Sequence, residues 1–134
     1  MSAAARTGTL IYAKDLTMLA SFYTALLAMT TTYATDEIVV LHSPDGQLIL
    51  HQIPAHIAET FVVDTPPVLR EEAAIKPFFT VPSFAEAQTC ATSLGGGLFG
   101  HQWEGPGFRV TNAYDPEGNI IQLRAPLDGA RVAP

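Results

Sequence analysis

The hydrophobic pattern of this chain runs through the same succession of periods twice. Thr9 to Ala13 is an apolar run of strand length. Asp15 or Thr17 follows as a helix cap, and Leu16, Leu19, Phe22, Tyr23, Leu26 and Leu27 then recur at helical spacing, predicting a helix that ends near Met29. Thr30-Thr31-Thr32-Tyr33 is β-branched and aromatic and reads as extended. Ile38 to His42 and Gln47 to Gln52 form the two arms of a hairpin around Pro44-Asp45-Gly46. The first half therefore predicts βαβββ.

Periodicity is lost from Pro54 to Lys76, where Pro66-Pro67 and Arg70-Glu71-Glu72 mark a linker and Phe61-Val62-Val63 is the one strand-like fragment. Pro77 to Val81 opens the second copy as a strand. Ser83 and Glu86 have the spacing of a capping box, ahead of the apolar stripe Phe84, Ala87, Ala91 and Leu94, and Gly95-Gly96-Gly97 stops that helix. Leu98 to Trp103 reads as a strand and Glu104-Gly105-Pro106-Gly107 as a turn. A second hairpin comes next, with Arg109 to Tyr114 and Ile120 to Leu123 flanking Asp115-Pro116-Glu117-Gly118-Asn119. Pro44 and Gly46 recur as Pro116 and Gly118 at one common spacing, the mark of an internal repeat. The expected organisation is one domain, with modules at about 7–53 and 76–125 joined by a linker at about 54–75. The tail from Pro126 is expected to be loosely held.

Composition narrows the class. With 48% hydrophobic and 15% charged residues, the chain of 134 residues has a folded rather than a disordered composition. Seven Lys and Arg against thirteen Asp and Glu leave a net charge of −6 with no basic cluster, which excludes a surface built to neutralise nucleic-acid phosphates. No apolar run reaches the roughly 18 residues of a membrane span. Met1 to Gly8 lacks the pattern of an export signal, so the expected location is cytoplasmic. Cys90, the single cysteine, has no internal disulfide partner and reads as a small residue of an Ala-rich helix. The glycine triplet follows a helix instead of opening one, with no Gly-Lys-Ser/Thr beside it, so it is not a phosphate loop.

Three stretches together resemble the vicinal oxygen chelate superfamily of glyoxalases, bleomycin-resistance proteins, fosfomycin-resistance enzymes and extradiol dioxygenases. They are Lys14-Asp15-Leu16 with the Phe22-Tyr23 helix, Val81-Pro82-Ser83-Phe84 leading into the second helix, and Asp115-Pro116-Glu117-Gly118-Asn119-Ile120-Ile121-Gln122-Leu123. The resemblance spans roughly residues 8–125. It implies an α+β fold in which two βαβββ modules form an open, cup-shaped mixed sheet (the glyoxalase/bleomycin-resistance fold), with helices outside, the ligand in the cup, and a homodimer as the assembly.

The same resemblance implies a divalent metal held from four positions, which fall here on Gly8, Leu50, Lys76 and Gln122. Gly and Leu carry no donor, an ammonium has no lone pair, and Gln122 alone is a weak neutral ligand. The expectation is therefore no metal and no other cofactor. Counting alternation from these positions puts Leu10 and Tyr12, Val39 and Leu41, Leu48 and Leu50 towards the cup in the first module. In the second it puts Phe78 and Thr80, Arg109, Thr111 and Ala113, and Ile120, Gln122 and Arg124 there.

The expected ligand pocket comprises Tyr12, Leu50, Lys76, Phe78, Arg109 and Gln122, with His101 and Trp103 at its rim; Lys76 and Arg109 suit an anionic ligand such as a carboxylate. His42 and His51 are expected on the opposite face and His56 in the linker. The function expected is a metal-free protein that sequesters a small organic molecule. The alternative is a lyase, isomerase or dioxygenase with a non-standard divalent-metal site including His101 and Gln122, or with Glu104 and His101 as acid and base. The sequence assigns no catalytic residue.

Overall fold

Asp15 ends the first strand and starts the first helix. Its carboxylate accepts the amide N–H of Met18 at 3.0 Å, so β1 (Thr9–Ala13) turns directly into α1 (Leu16–Leu27). The structure is a computed structural model that describes residues 5–127. The expected tail beyond Leu127 lies outside the described residues. The chain divides into two compact units, Met1–Val63 and Asp64–Pro134, with the boundary inside the expected linker.

In the first unit β1 and α1 are succeeded by β2 (Thr30–Ala34), β3 (Ile38–Ser43) and β4 (Gly46–Gln52). The sheet order is β1-β4-β3-β2, with β1 parallel to β4 and the other pairs antiparallel. Helix α1 lies against β3 and β4 and buries Leu16, Leu19, Phe22, Tyr23 and Leu26, with Phe22 and Tyr23 edge to face at 5.1 Å. The sheet answers with Ala13, Leu41, Leu48 and Leu50, all fully buried. Each large side chain so placed contributes roughly 1.5–3 kcal/mol of transfer free energy. Gln52 ties the end of β4 to the turn before α1: its Nε2 donates to the Lys14 carbonyl at 2.7 Å and its Oε1 accepts the Leu16 N–H at 3.2 Å. Phe61-Val62-Val63 forms no strand; Lys14 Nζ donates to the Phe61 carbonyl and sits 4.7 Å from the centre of its ring. The short helix α2 (Ala55–Ala58) occupies part of the stretch expected to be linker.

The second unit repeats the plan with β5 (Phe78–Thr80), α3 (Phe84–Ser93), β6 (Gly97–Gly105), β7 (Phe108–Tyr114) and β8 (Ile120–Pro126), in the order β5-β8-β7-β6. Here too the first strand runs parallel to the last and the rest are antiparallel. Neither sheet closes into a barrel. Ser83 Oγ caps α3 by accepting the Glu86 N–H at 3.3 Å, and Gly95 ends it at φ +89°. Thr111, Ala113, Ile121, Leu123 and Ala125 are buried on one face of the sheet, with Ala87 and Ala91 of the helix also buried.

The two hairpins do not share a turn. The first pairs Ser43 with Gly46, leaving Pro44-Asp45 as a two-residue loop, and Gly46 keeps an ordinary φ. The second pairs Tyr114 with Ile120 across five residues. Within those five, Asp115 is fully buried and its carboxylate accepts the amides of Glu117 and Asn119 at 2.9 and 3.1 Å and the Asn119 side chain at 2.8 Å. Gly118 sits at φ +85°, and a Cβ there would stand 2.2 Å from the Val68 carbonyl oxygen. Arg70 closes over this turn, its N–H donating to the Gly118 carbonyl at 2.9 Å. The repeat in sequence is thus one of composition, and the buried second turn is structural.

Candidate functional site

Partners directly opposite each other in a ladder point to the same face, so the registers decide which side chains share a surface. In the first sheet, Ile11 pairs with Leu50, and Leu50 with Val39; Tyr12 pairs with His51, and His51 with Ile38. Leu50 therefore belongs to the buried helix face and Tyr12 to the opposite one. Tyr12 is 56% exposed, and its ring stands 5.5 Å from that of His51. His42, Val40, Ile49 and Tyr33 line the same exposed face. This reverses two expectations: Leu48 and Leu50 do not share a face with Tyr12, and His42 and His51 do. The reason is the loop. Counting four residues past the turn glycine suits the second hairpin, where β8 begins two residues after Gly118. Gln122, four past Gly118, lies opposite Phe78, but the residue opposite Leu10 is Ile49, three past Gly46, and that difference of one puts Leu50 on the other face.

In the second sheet, Phe78 pairs with Gln122 and Gln122 with Asn112, while Thr80 pairs with Arg124, Arg124 with Val110, and Val110 with Trp103. These residues share the face opposite the buried one. Phe78 and Trp103 are 55% and 40% exposed, and Trp103 stacks on His101 with ring centres 5.2 Å apart. Lys76 reaches the same surface by donating from Nζ to Asn112 Oδ1 at 3.2 Å. Of the expected pocket residues, the sheet thus places Lys76, Phe78, His101, Trp103 and Gln122 on one face, with Phe78 on one edge strand and His101 and Trp103 on the other. Arg109 is not among them. It pairs with Ala125 and Glu104 on the buried-face side, because the five-residue loop pairs even positions with even ones. Thr111 shares that side with Arg109, its hydroxyl donating to the carbonyls of His101 at 2.8 Å and Phe99 at 3.2 Å, where β6 bulges.

Arg124 takes the position expected of Arg109. Its guanidinium carbon lies over the ring of Phe78 at 3.9 Å and over that of Phe108 at 4.8 Å. Phe108, which alternation from the sequence did not nominate, is seated against Gly105, where an added Cβ would fall 2.5 Å from its ring. Arg124 Nη2 is 3.5 Å from Gln122 Oε1, and its buried Nε has no hydrogen-bond partner among the described residues.

The four positions implied for a metal do not fit one. A side chain at Gly8 would begin 2.8 Å from the Gln47 carbonyl oxygen, Leu50 is buried on the other face, and Lys76 is a cation. Gln122, the one donor, has the Arg124 guanidinium at its oxygen. Among the described residues no group of three or more His, Cys, Asp or Glu side chains is placed to hold a metal ion. Nor is any described helix long and apolar enough to cross a membrane. The first unit also has a surface groove of about 540 Å³ lined by Lys14, Asp36, Gln52, Ile53, Ala55, Ala58 and Glu59, none of which belongs to the expected ligand pocket.

The paired βαβββ architecture is shared with solved structures. A glyoxalase/bleomycin resistance protein from Albidiferax ferrireducens is 18% identical, the match covering 89% of this chain and 96% of that one with a TM-score of 0.62. The fosfomycin resistance protein FosX from Listeria monocytogenes, complexed with Mn(II) and sulfate, is 15% identical over 93% and 92% of the two chains, with a TM-score of 0.64. A glyoxalase-related enzyme from Fulvimarina pelagi is 16% identical over 96% and 98%, with a TM-score of 0.59. No family model and no curated protein sequence matches the chain. At these identities the likeness is one of fold: the chain has the α+β fold of the glyoxalase/bleomycin-resistance proteins.

Proposed function

We propose that this protein is a metal-independent member of the vicinal oxygen chelate superfamily that binds a small organic molecule on the exposed face of its second sheet. One observation carries the reading: Phe78, Phe108, Trp103, Arg124 and Gln122 present rings and polar groups on the face opposite Thr111, Ala113, Ile121, Leu123 and Ala125. An apolar bed with a few placed polar groups is how small-molecule sites are usually built. The guanidinium beside Gln122 supports binding without a metal, because a cation there repels a second one. The protein acts in the cytoplasm as a homodimer. Strand β2 gives dimerisation a motive, since all five of its residues are exposed at a sheet edge.

Two measurements on the purified chain test this. Elemental analysis after incubation with Zn²⁺, Ni²⁺, Fe²⁺ and Mn²⁺ is expected to find no stoichiometric metal. A broad thermal-shift screen is expected to find organic ligands that raise the melting temperature, because a ligand at a hundred times its Kd stabilises by about 2.7 kcal/mol. A retained metal with turnover would replace this reading by a lyase, isomerase or dioxygenase; the FosX structure with Mn(II) makes that the rival to exclude. A screen with no hit in any chemical class would remove the binding reading altogether.

A further inference from the structure

We propose that the ligand of the second sheet is an aromatic acid, a planar ring bearing a carboxylate, with Arg124 and Lys76 receiving the anion and Phe78 and Trp103 the ring. The inference rests on the proposed binding site and names its ligand class.

The two cations of this face are both matched to neutral oxygens. Among the described residues, Lys76 Nζ donates to an amide, Asn112 Oδ1, and Arg124 Nη2 has only Gln122 Oε1, at 3.5 Å. Asn112 and Gln122 are themselves cross-strand partners, so the cations flank one amide pair. The chain has nearly twice as many acidic as basic residues, yet neither of these two meets a carboxylate among the described residues. Glu104, the acidic residue of β6, points to the other face with Arg109. A half-buried guanidinium whose Nε has no acceptor is costly, and an anion at its remaining N–H groups offsets that cost.

The rings complete the selection. Phe78 and Phe108 lie against the guanidinium and restrict its orientation, which leaves its polar edge for a planar anion. Phe78 beside it, and Trp103 two strands away on the same face, expose apolar surface that a carboxylate without a ring would leave unused. A cationic ligand meets two like charges here, despite the net charge of −6 for the whole chain.

The test compares 2-naphthoate with 2-naphthamide, which share a ring system and differ in charge. Both are titrated into the full chain by calorimetry, with the indole N–H resonance of Trp103, the single tryptophan, reporting the location. The acid is expected to bind about tenfold or more tightly than the amide and to shift that resonance. Arg124→Gln is expected to cut the preference for the acid over the amide to about threefold, the share left to Lys76. Lys76→Gln, at an exposed position, is expected to cost the acid about threefold. Arg109→Gln, on the other face, should change neither. Equal affinity of acid and amide for the unmodified chain overturns the anion assignment and leaves the binding site standing. An acid preference that survives Arg124→Gln undiminished in a folded variant, or survives Lys76→Gln undiminished if the first variant does not fold, also overturns it. Failure of both probes to bind at millimolar concentration overturns it too, and the screen for other chemical classes then decides whether the site itself falls.

Discussion

At the scale of single residues, a buried charge and a half-buried one do opposite work. The Asp115 carboxylate accepts two backbone amides and the Asn119 side chain inside a loop that is closed over by residues 68–70. These partners are all within the turn itself. Asp115→Ala leaves two amides without an acceptor and is expected to cost about 2–4 kcal/mol, read as a lower urea midpoint at unchanged slope. A loss under about 0.5 kcal/mol would show that water replaces the carboxylate there. Arg124 is the converse case, a charge whose Nε is buried without an acceptor. Arg124→Met keeps an unbranched stem out to the position of Nε while removing the unsatisfied donor and the guanidinium over Phe78. Its unfolding free energy is expected to stay within about 1 kcal/mol of the parent or to rise, while discrimination between naphthoate and naphthamide falls to the roughly threefold left to Lys76. A large loss of stability would mark Arg124 as a structural residue.

At the scale of elements, what is local is legible in the sequence. Asp15 and Ser83 cap the helices that their spacing predicts, because a cap needs only its own N–H neighbours. Strands and helices follow the apolar periods for the same reason. Facing is harder to read, since it depends on whether a loop has an odd or an even number of residues. Pro44-Asp45-Gly46 and Pro116-Glu117-Gly118 look alike in sequence but make loops of two and five residues, and the count that leads from Gly118 to Gln122 opposite Phe78 leads from Gly46 to Leu50 on the buried face, leaving His51 beside Tyr12. A nuclear Overhauser contact between the Tyr12 and His51 rings, with none between Tyr12 and Leu50, is expected in solution; the reverse pattern would restore the other register. One local feature escapes the apolar pattern. Ala28 ends α1 in the left-handed region at φ +52°, where glycine is the usual residue. Ala28→Gly is expected to stabilise the protein by about 0.5–1 kcal/mol, measured by urea unfolding, since the strain of a Cβ there exceeds the added chain entropy.

At the scale of the whole molecule, the ligand proposed for the second sheet and the charge of the chain are opposed. An anion approaching a protein of net charge −6 is repelled at long range and attracted only within a few ångströms of Arg124 and Lys76. The two forces respond differently to salt. For a chain of this length the charges average roughly 15 Å from a surface point, so the repulsion at 0.01 M salt, where the Debye length is about 30 Å, amounts to about 1 kcal/mol in water. At 0.1 M the Debye length falls to about 10 Å and the repulsion to about 0.4 kcal/mol. Contact between carboxylate and guanidinium, half shielded from solvent by Phe78 and Phe108, is screened much less. Association of 2-naphthoate is therefore expected to speed up by about threefold between these salt concentrations, with dissociation nearly unchanged. The neutral amide should show no such dependence. An association rate for the acid that falls as salt rises would mean that the field it meets is positive well beyond the reach of these two side chains, and that its anion is drawn in by some other part of the surface.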